Sequence, residues 1–225
     1  MRRASLSVSM VVAAMAWMAA GNGYADDTVP AQAGGFHGGD ILVRVRGIGV
    51  IPDVSGSVSP INGALAINNS FVPELDGTYF ITDNVGVEAI AGVTPHDVTD
   101  VRSSVGTLGL GKVWLLPPTV TAQWHFIPDG QFNPYLGVGV NYTKFFDVGK
   151  TGANPAILKV KYGDSWGPAF QFGVDARIKG PWYMNFDVKK LLISSDVKIS
   201  SVVGPVTAKA NIDPWIVGVG VGYRF

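Results

Sequence analysis

Cysteine is absent and charge is scarce. Asp, Glu, Lys and Arg make up 15% of the 225 residues, against roughly 25% in an ordinary soluble domain. Without cysteine there is no disulfide framework, no thiolate zinc site and no thiol nucleophile. Acidic and basic residues balance at 17 each, so no basic surface is on offer to a phosphate backbone, and nucleic acid is excluded as a partner. Long apolar runs are lacking too. A membrane-spanning helix needs about 20 consecutive apolar residues, and no stretch past residue 25 supplies them. No metal-ligand spacing, phosphate loop or cofactor motif occurs, so no cofactor is expected. Yet hydrophobic residues are 47% of the chain and glycines number 29. Apolarity without apolar runs is what alternating strands give.

The one apolar run lies at the N-terminus. Arg2 and Arg3 precede a core from Val8 to Ala20 that only Ser9 interrupts. Gly23-Tyr24-Ala25 then sets small residues two apart. This predicts a secretory signal peptide over 1–25, cleaved before Asp26. Residues 26–39 are rich in Gly and Ala without periodicity, and read as a flexible periplasmic N-terminal segment that carries His37.

The last stretch, Trp215 to Phe225, sets the pattern for the rest. Trp215, Val217, Val219, Val221, Tyr223 and Phe225 share one face; Gly218, Gly220, Gly222 and Arg224 share the other. So apolar a terminal strand would be an aggregation-prone edge in water. In lipid a closed barrel gives it partners on both sides. The same alternation predicts strands over 40–51, 70–81, 85–93, a stretch ending at 116–126, 133–146, 162–178, one opening at Trp182, and 205–225. Long connections (52–67, 94–107, 147–161, 194–204) alternate with short turns at Thr82-Asp83-Asn84, Pro128-Asp129-Gly130 and Lys179-Gly180-Pro181. The expected fold is an all-β, eight-stranded antiparallel transmembrane barrel over 40–225, with short periplasmic turns and long extracellular loops. Aromatics near the short turns (Tyr79, Phe80, Trp124, Phe126, Tyr135, Trp182, Tyr183, Tyr223, Phe225) read as the periplasmic girdle. In the last strand the apolar parity is expected to switch at a bulge near Asp213-Pro214. A soluble barrel or sandwich would share the period with the opposite face wet. The signal peptide, the terminal aromatic and the low charge favour outer-membrane lipid as the surrounding partner.

Several stretches resemble the outer-membrane protein W family and its alkane-uptake relatives. They are Thr82-Asp-Asn-Val-Gly-Val-Glu88, Leu116-Pro-Pro-Thr119 with Ala122-Gln-Trp124, Asn133-Pro-Tyr-Leu-Gly-Val-Gly-Val-Asn-Tyr-Thr143, Gln171-Phe-Gly-Val-Asp175, and Asp213-Pro-Trp215 with Gly222-Tyr-Arg-Phe225. The resemblance spans nearly all of the mature chain. It implies a narrow outer-membrane channel that takes up small hydrophobic solutes and releases them sideways through the barrel wall. Phe225, behind Tyr223, resembles the signal read by the barrel assembly machinery.

The inward parity collects Arg44, Arg46, Arg177, Lys189 and Arg224 against Glu74, Asp76, Glu88, Asp175 and Asp187. In a narrow lumen these must pair, because an unpaired buried charge is costly. The glycines at 218, 220 and 222 leave room for Arg44 and Arg46. Pro73, Pro117, Pro118, Pro168 and Pro214 fall inside predicted strands, where proline cannot donate to the ladder. The first four are the candidate lining of a lateral gap. Two other functions fit the same barrel. One is a receptor or structural barrel without specific transport. The other is a lipid-modifying enzyme, for which His96 with Ser103 and Ser104, or His125, would be the candidate base. His125 lies at the periplasmic end without a nearby Ser, and nothing fixes the geometry of the others, so the chain reads as a non-enzyme.

Overall fold

The computed structural model of the chain describes residues 34–59, 64–103, 106–149, 157–201 and 204–225. The expected signal peptide (1–25), residues 26–33 and Ser104 lie outside the described residues. The described strands are, in chain order, β1 (Ile41–Ile51), β2 (Ser55–Ser59), β3 (Ala64–Ile67), β4 (Ser70–Phe80), β5 (Val85–Gly92), β6 (Thr94–Ser103), β7 (Gly106–Leu116), β8 (Thr119–His125), β9 (Phe132–Gly149), β10 (Ile157–Tyr162), β11 (Ser165–Lys179), β12 (Trp182–Leu191), β13 (Ser194–Ser201), β14 (Gly204–Asn211) and β15 (Trp215–Arg224).

Eight of these close on one another. The order β11-β12-β15-β1-β4-β5-β8-β9 returns through a β9–β11 pairing, and every neighbouring pair is antiparallel. The closing seam joins β1 to β15, from Leu42↔Arg224 to Ile51↔Trp215. At its lower end the Phe225 N–H donates to the Ile41 carbonyl at 2.8 Å. Closure leaves the eight barrel strands without a free edge, which is what lipid requires of a sheet. The outward face is apolar: Val138, Val140, Phe170, Phe172, Phe186, Val219 and Val221 are exposed. Arg44, Glu88, Asp175 and Asp187 on the opposite parity are completely buried. The mean surface is thus inverted relative to a soluble domain, as the sequence pattern predicts.

The expected loops differ from what is observed. Residues 52–67 contain β2 and β3, 94–107 is the β6–β7 hairpin, and 194–204 belongs to the β13–β14 hairpin. Between 147 and 161, β9 continues to Gly149 and β10 begins at Ile157. These strands extend the wall above the barrel, β3-β6-β7 standing on β9 and β10-β13-β14-β2 forming a second sheet. Their sequences mix polar residues onto both faces, so the period-2 signal fades although the backbone ladder persists.

Two further expectations are corrected. Parity does not switch near Asp213. Ile212, Pro214 and Ile216 all face inward while Trp215 faces out, and Asp213 takes a φ of 30° in the break between β14 and β15. Nor do all the lower aromatics form a girdle. Tyr79, Trp124, Phe126, Trp182 and Phe225 are exposed, but Phe80, Tyr135 and Tyr183 point into the barrel and are buried.

Close strand packing depends on Gly139, which pairs with Thr121 on one side and Ala169 on the other. A Cβ there would run into the Val120 carbonyl and stand 2.7 Å from the Thr121 Cα. Backbone cannot yield as a side chain can. Gly139→Val is therefore expected to lose most of the folded barrel, read as loss of the heat-modifiable band after unheated electrophoresis.

Candidate functional site

The inward positions of a single strand section the lumen. Along β1 they are Leu42, Arg44, Arg46, Ile48 and Val50, all buried. Leu42 belongs to an aromatic layer at the periplasmic end. The arginines belong to a charged layer in the middle. Ile48 and Val50 belong to an apolar layer above.

The charged layer is built by register. Arg44 pairs with Asp76 and Arg46 with Glu74 across β1–β4, which sets opposite charges side by side. Arg44 Nε donates to Asp76 at 2.7 Å, its Nη2 to Glu88 at 2.7 Å and its Nη1 to Asp175 at 3.2 Å. Arg46 Nη2 lies 2.5 Å from Glu88 and 2.6 Å from Asp76, its Nη1 3.1 Å from Asp187 and its Nε 3.2 Å from Glu74. Lys189 Nζ reaches Glu74 at 2.6 Å and Asp187 at 2.9 Å. Neutral groups add further hydrogen bonds, while Arg46 Nε, Asp76 Oδ2 and Asp187 Oδ1 are met by ion-pair contact alone. Glu88 Oε2 accepts from Gln123 at 2.9 Å and from Thr121 at 3.2 Å. Asp187 Oδ2 accepts from Gln171 at 2.8 Å and from the Tyr135 hydroxyl at 3.0 Å. The glycines of β15 make the room: a Cβ at Gly222 would lie 2.8 Å from Arg44 Cγ, and one at Gly220 2.6 Å from Arg46 Cγ.

Of the ten charges expected inside, eight meet in this layer. Arg177 and Arg224 do not. Arg224 lies at the periplasmic end, where Nη1 donates to the Gly35 carbonyl and sits 3.5 Å from Asp40. Arg177 flanks Gly34, where any side chain would meet its guanidinium. Three cations thus face five carboxylates among the ion pairs of the layer. Carboxylates outnumber cations in the layer, and every cation in it is already multiply engaged.

Sequence reasoning missed the layers on either side. Residues 34–39, read as part of a flexible lead-in, turn up into the periplasmic opening. Gly34 and Gly35, with φ of 84° and 108°, allow the bend. Phe36 is wholly buried, 4.4 Å from the Phe80 ring and 4.7 Å from the Tyr183 ring between centroids. His125 packs edge-on to Phe36, and its ring nitrogens meet Gln123 at 3.1 Å and Asn133 at 3.0 Å. Buried and held in that way, His125 has no approach for a lipid substrate.

Above the charges lies a small chamber, partly open to solvent. Its walls are Ile48, Val50, Ile90, Leu115, Leu191, Ile193, Ile212 and Ile216, and Glu74 and Lys189 form its floor. The prolines separate around it. Pro117 and Pro214 line the chamber. Pro117 and Pro118 lie between β7 and β8, where the ladder breaks: β5–β8 pairing ends at Ile90↔Thr119 and β6–β7 pairing begins at Thr94↔Leu115. Pro73 stands one residue beyond the end of the β4–β5 ladder at Glu74↔Gly92. Pro168 opens nothing, since it pairs with Val140 and its carbonyl accepts from Leu192 N–H at 3.0 Å.

Glu88 is the hub of the charged layer, and removing it strands two guanidiniums in a dry interior. Glu88→Ala is expected to lower the unfolding free energy by about 3–5 kcal/mol, read as the urea midpoint of the refolded barrel. The same variant should raise single-channel conductance in planar bilayers. Unaltered conductance would mean that the layer fills the lumen without sealing it.

The sequence profile of the OmpW family matches residues 37–225. The chain is 42% identical over 185 residues to an uncharacterised outer-membrane protein of Sinorhizobium fredii, covering 81% of this chain and 79% of that one. It is 33% identical over 194 residues to outer membrane protein W of Vibrio cholerae, covering 83% and 89%. Among solved structures it is similar to OprG of Pseudomonas aeruginosa, with a TM-score of 0.79 and 28% identity over 85% of this chain and 98% of that one. Closed barrel, inverted surface and end-to-end similarity agree: the chain belongs to the OmpW family and is an eight-stranded β-barrel of the Gram-negative outer membrane.

Proposed function

We propose that this barrel is a passive uptake channel for small hydrophobic molecules, and that it releases them sideways into the bilayer. The observation that carries the reading is the apolar chamber standing on a charged floor. An apolar solute entering from outside gains by leaving water, at roughly 25 cal/mol per Å² of buried surface. It gains nothing by crossing the layer of Arg44, Arg46, Lys189 and their carboxylates, whose ion pairs it would have to part. The ladder break beside Pro117 and Pro118 offers the other way out, with Gly92 on the facing strand adding no side chain. Pro73 borders the neighbouring end of pairing.

Liposomes carrying the mature chain test this. Naphthalene-sized apolar solutes are expected to enter well above protein-free vesicles, and small polar solutes such as amino acids are not. Equal flux of both would mean a wet pore and end the proposal. Pro117→Ala or Pro118→Ala, by letting the ladder zip upward, should slow apolar uptake severalfold while leaving insertion intact. Wild-type uptake in both would remove the lateral route.

The terminal Tyr223 and Phe225 are proposed as the mark by which the barrel assembly machinery takes up the chain. Their rings lie 4.7 Å apart, and Phe225 is exposed. Deleting Phe225 is expected to reduce the membrane-inserted, heat-modifiable barrel in cells; wild-type amounts would count against that role.

A further inference from the structure

The chamber is not uniformly apolar, and its polar groups are arranged. Thr94 and His96 both line it from β6, and both are nearly fully buried. Their Cα atoms stand about 7 Å apart on one face of the strand, at about 3.3 Å per residue. They lie at the upper border of the ladder break, where Thr94 faces Leu115 and His96 faces Val113. His96 Nδ1 is 3.0 Å from the Asn68 carbonyl oxygen. A carbonyl oxygen can only accept, so Nδ1 carries the hydrogen. In the neutral ring Nε2 is then a bare acceptor. Neither Nε2 nor the Thr94 hydroxyl has a protein partner among the described residues. Neither atom is among the fully enclosed polar atoms that lack a partner, so both stay accessible from the chamber, where an incoming solute can replace the hydrogen bonds they make to water.

The floor decides the charge of that something. Among the described residues Lys189 is the only cation lining the chamber, and it is bound to Glu74 at 2.6 Å and Asp187 at 2.9 Å. Beneath it the layer holds more carboxylates than cations. An anionic head group would find no unpaired positive charge in the lining, only Lys189 already bound to Glu74 and Asp187. An alkane would leave Thr94 and His96 unmet.

Resting on the uptake reading above, we infer that the chamber selects neutral amphipathic solutes, an apolar body bearing one hydroxyl, held by His96 and Thr94 at the lateral break. The solute hydroxyl donates to His96 Nε2 and accepts from Thr94 Oγ1. Alcohols and phenols have this chemistry; hydrocarbons lack the donor, and carboxylates carry a charge.

The probes are naphthalene, 1-naphthol and 1-naphthoate, which share one ring system, with the full mature chain in liposomes. The quantity measured is the concentration that half-saturates protein-dependent uptake. In the wild type, 1-naphthol should saturate at about three- to tenfold lower concentration than naphthalene, the worth of one net hydrogen bond. 1-Naphthoate should show no protein-dependent entry. His96→Leu should bring the naphthol-to-naphthalene ratio close to one. Thr94→Val, isosteric and clear of the Asn68 bond, should reduce it in part, and serves if His96→Leu fails to assemble. Equal saturation of naphthol and naphthalene in the wild type overturns the inference and leaves hydrophobic uptake standing. So does a ratio unmoved by either substitution, or entry of 1-naphthoate on a par with 1-naphthol. Entry of none of the three above protein-free vesicles overturns the uptake reading as well.

Discussion

A strand in lipid must have a hydrogen-bonded neighbour on both sides, and everything else in this protein follows from meeting that condition with eight strands. β1 is held between β15 and β4 along nearly its whole length. Eight strands enclose a lumen only about as wide as the side chains that fill it. Whatever points inward is therefore in contact with what points inward from across the barrel. Arg44 on β1 reaches Asp175 on β11, and Lys189 on β12 reaches Glu74 on β4. Narrowness makes one network out of charges that lie more than a hundred positions apart in the chain.

The same narrowness lets a short vertical distance hold three environments. Two residues along a strand are one step of side chains. One such step separates Leu42 among the aromatics from Arg44 among the carboxylates, and another separates Arg46 from Ile48 in the chamber. The charged layer is a structural floor because its members pair with one another; the Phe36 stack below doubles it. The apolar chamber rests on that floor, and the proposed exit is through the wall. Where β5 passes into β6 and β7 into β8 the ladder is interrupted, and proline without a donor occupies one border. Above that level the strands splay into rim sheets, so the break lies where the closed barrel gives way to its extensions.

Much of this could be read from the chain before folding. Period-2 alternation gave the barrel strands, the short turns and the outward face, because in a barrel every strand obeys one parity rule. Charged residues on the inward parity were legible for the same reason, since a charge facing lipid would be too costly to keep. Fit was partly legible as well: the glycines of β15 mark where arginines need space. Alternation ceased to inform where both faces are polar, as in 94–107 and 194–204, and there the ladders are seen only in the fold. It also misleads where both faces are apolar: the expected bulge near Asp213-Pro214 would put Ile212 and Trp215 on one face, and they lie on opposite ones.

The sequence by itself determined which side of each strand meets lipid, since that depends on chemistry repeated at fixed spacing along a single strand. Only the tertiary structure decided which inward residues meet. Arg177 and Arg224 share the parity of Arg44 and Arg46, yet lie below the network, because height in the barrel depends on register between strands and not on parity within one. The chamber belongs to the same class. Ile48, Leu115, Leu191 and Ile216 come from four strands and become one apolar surface only when the ladder sets them at one level.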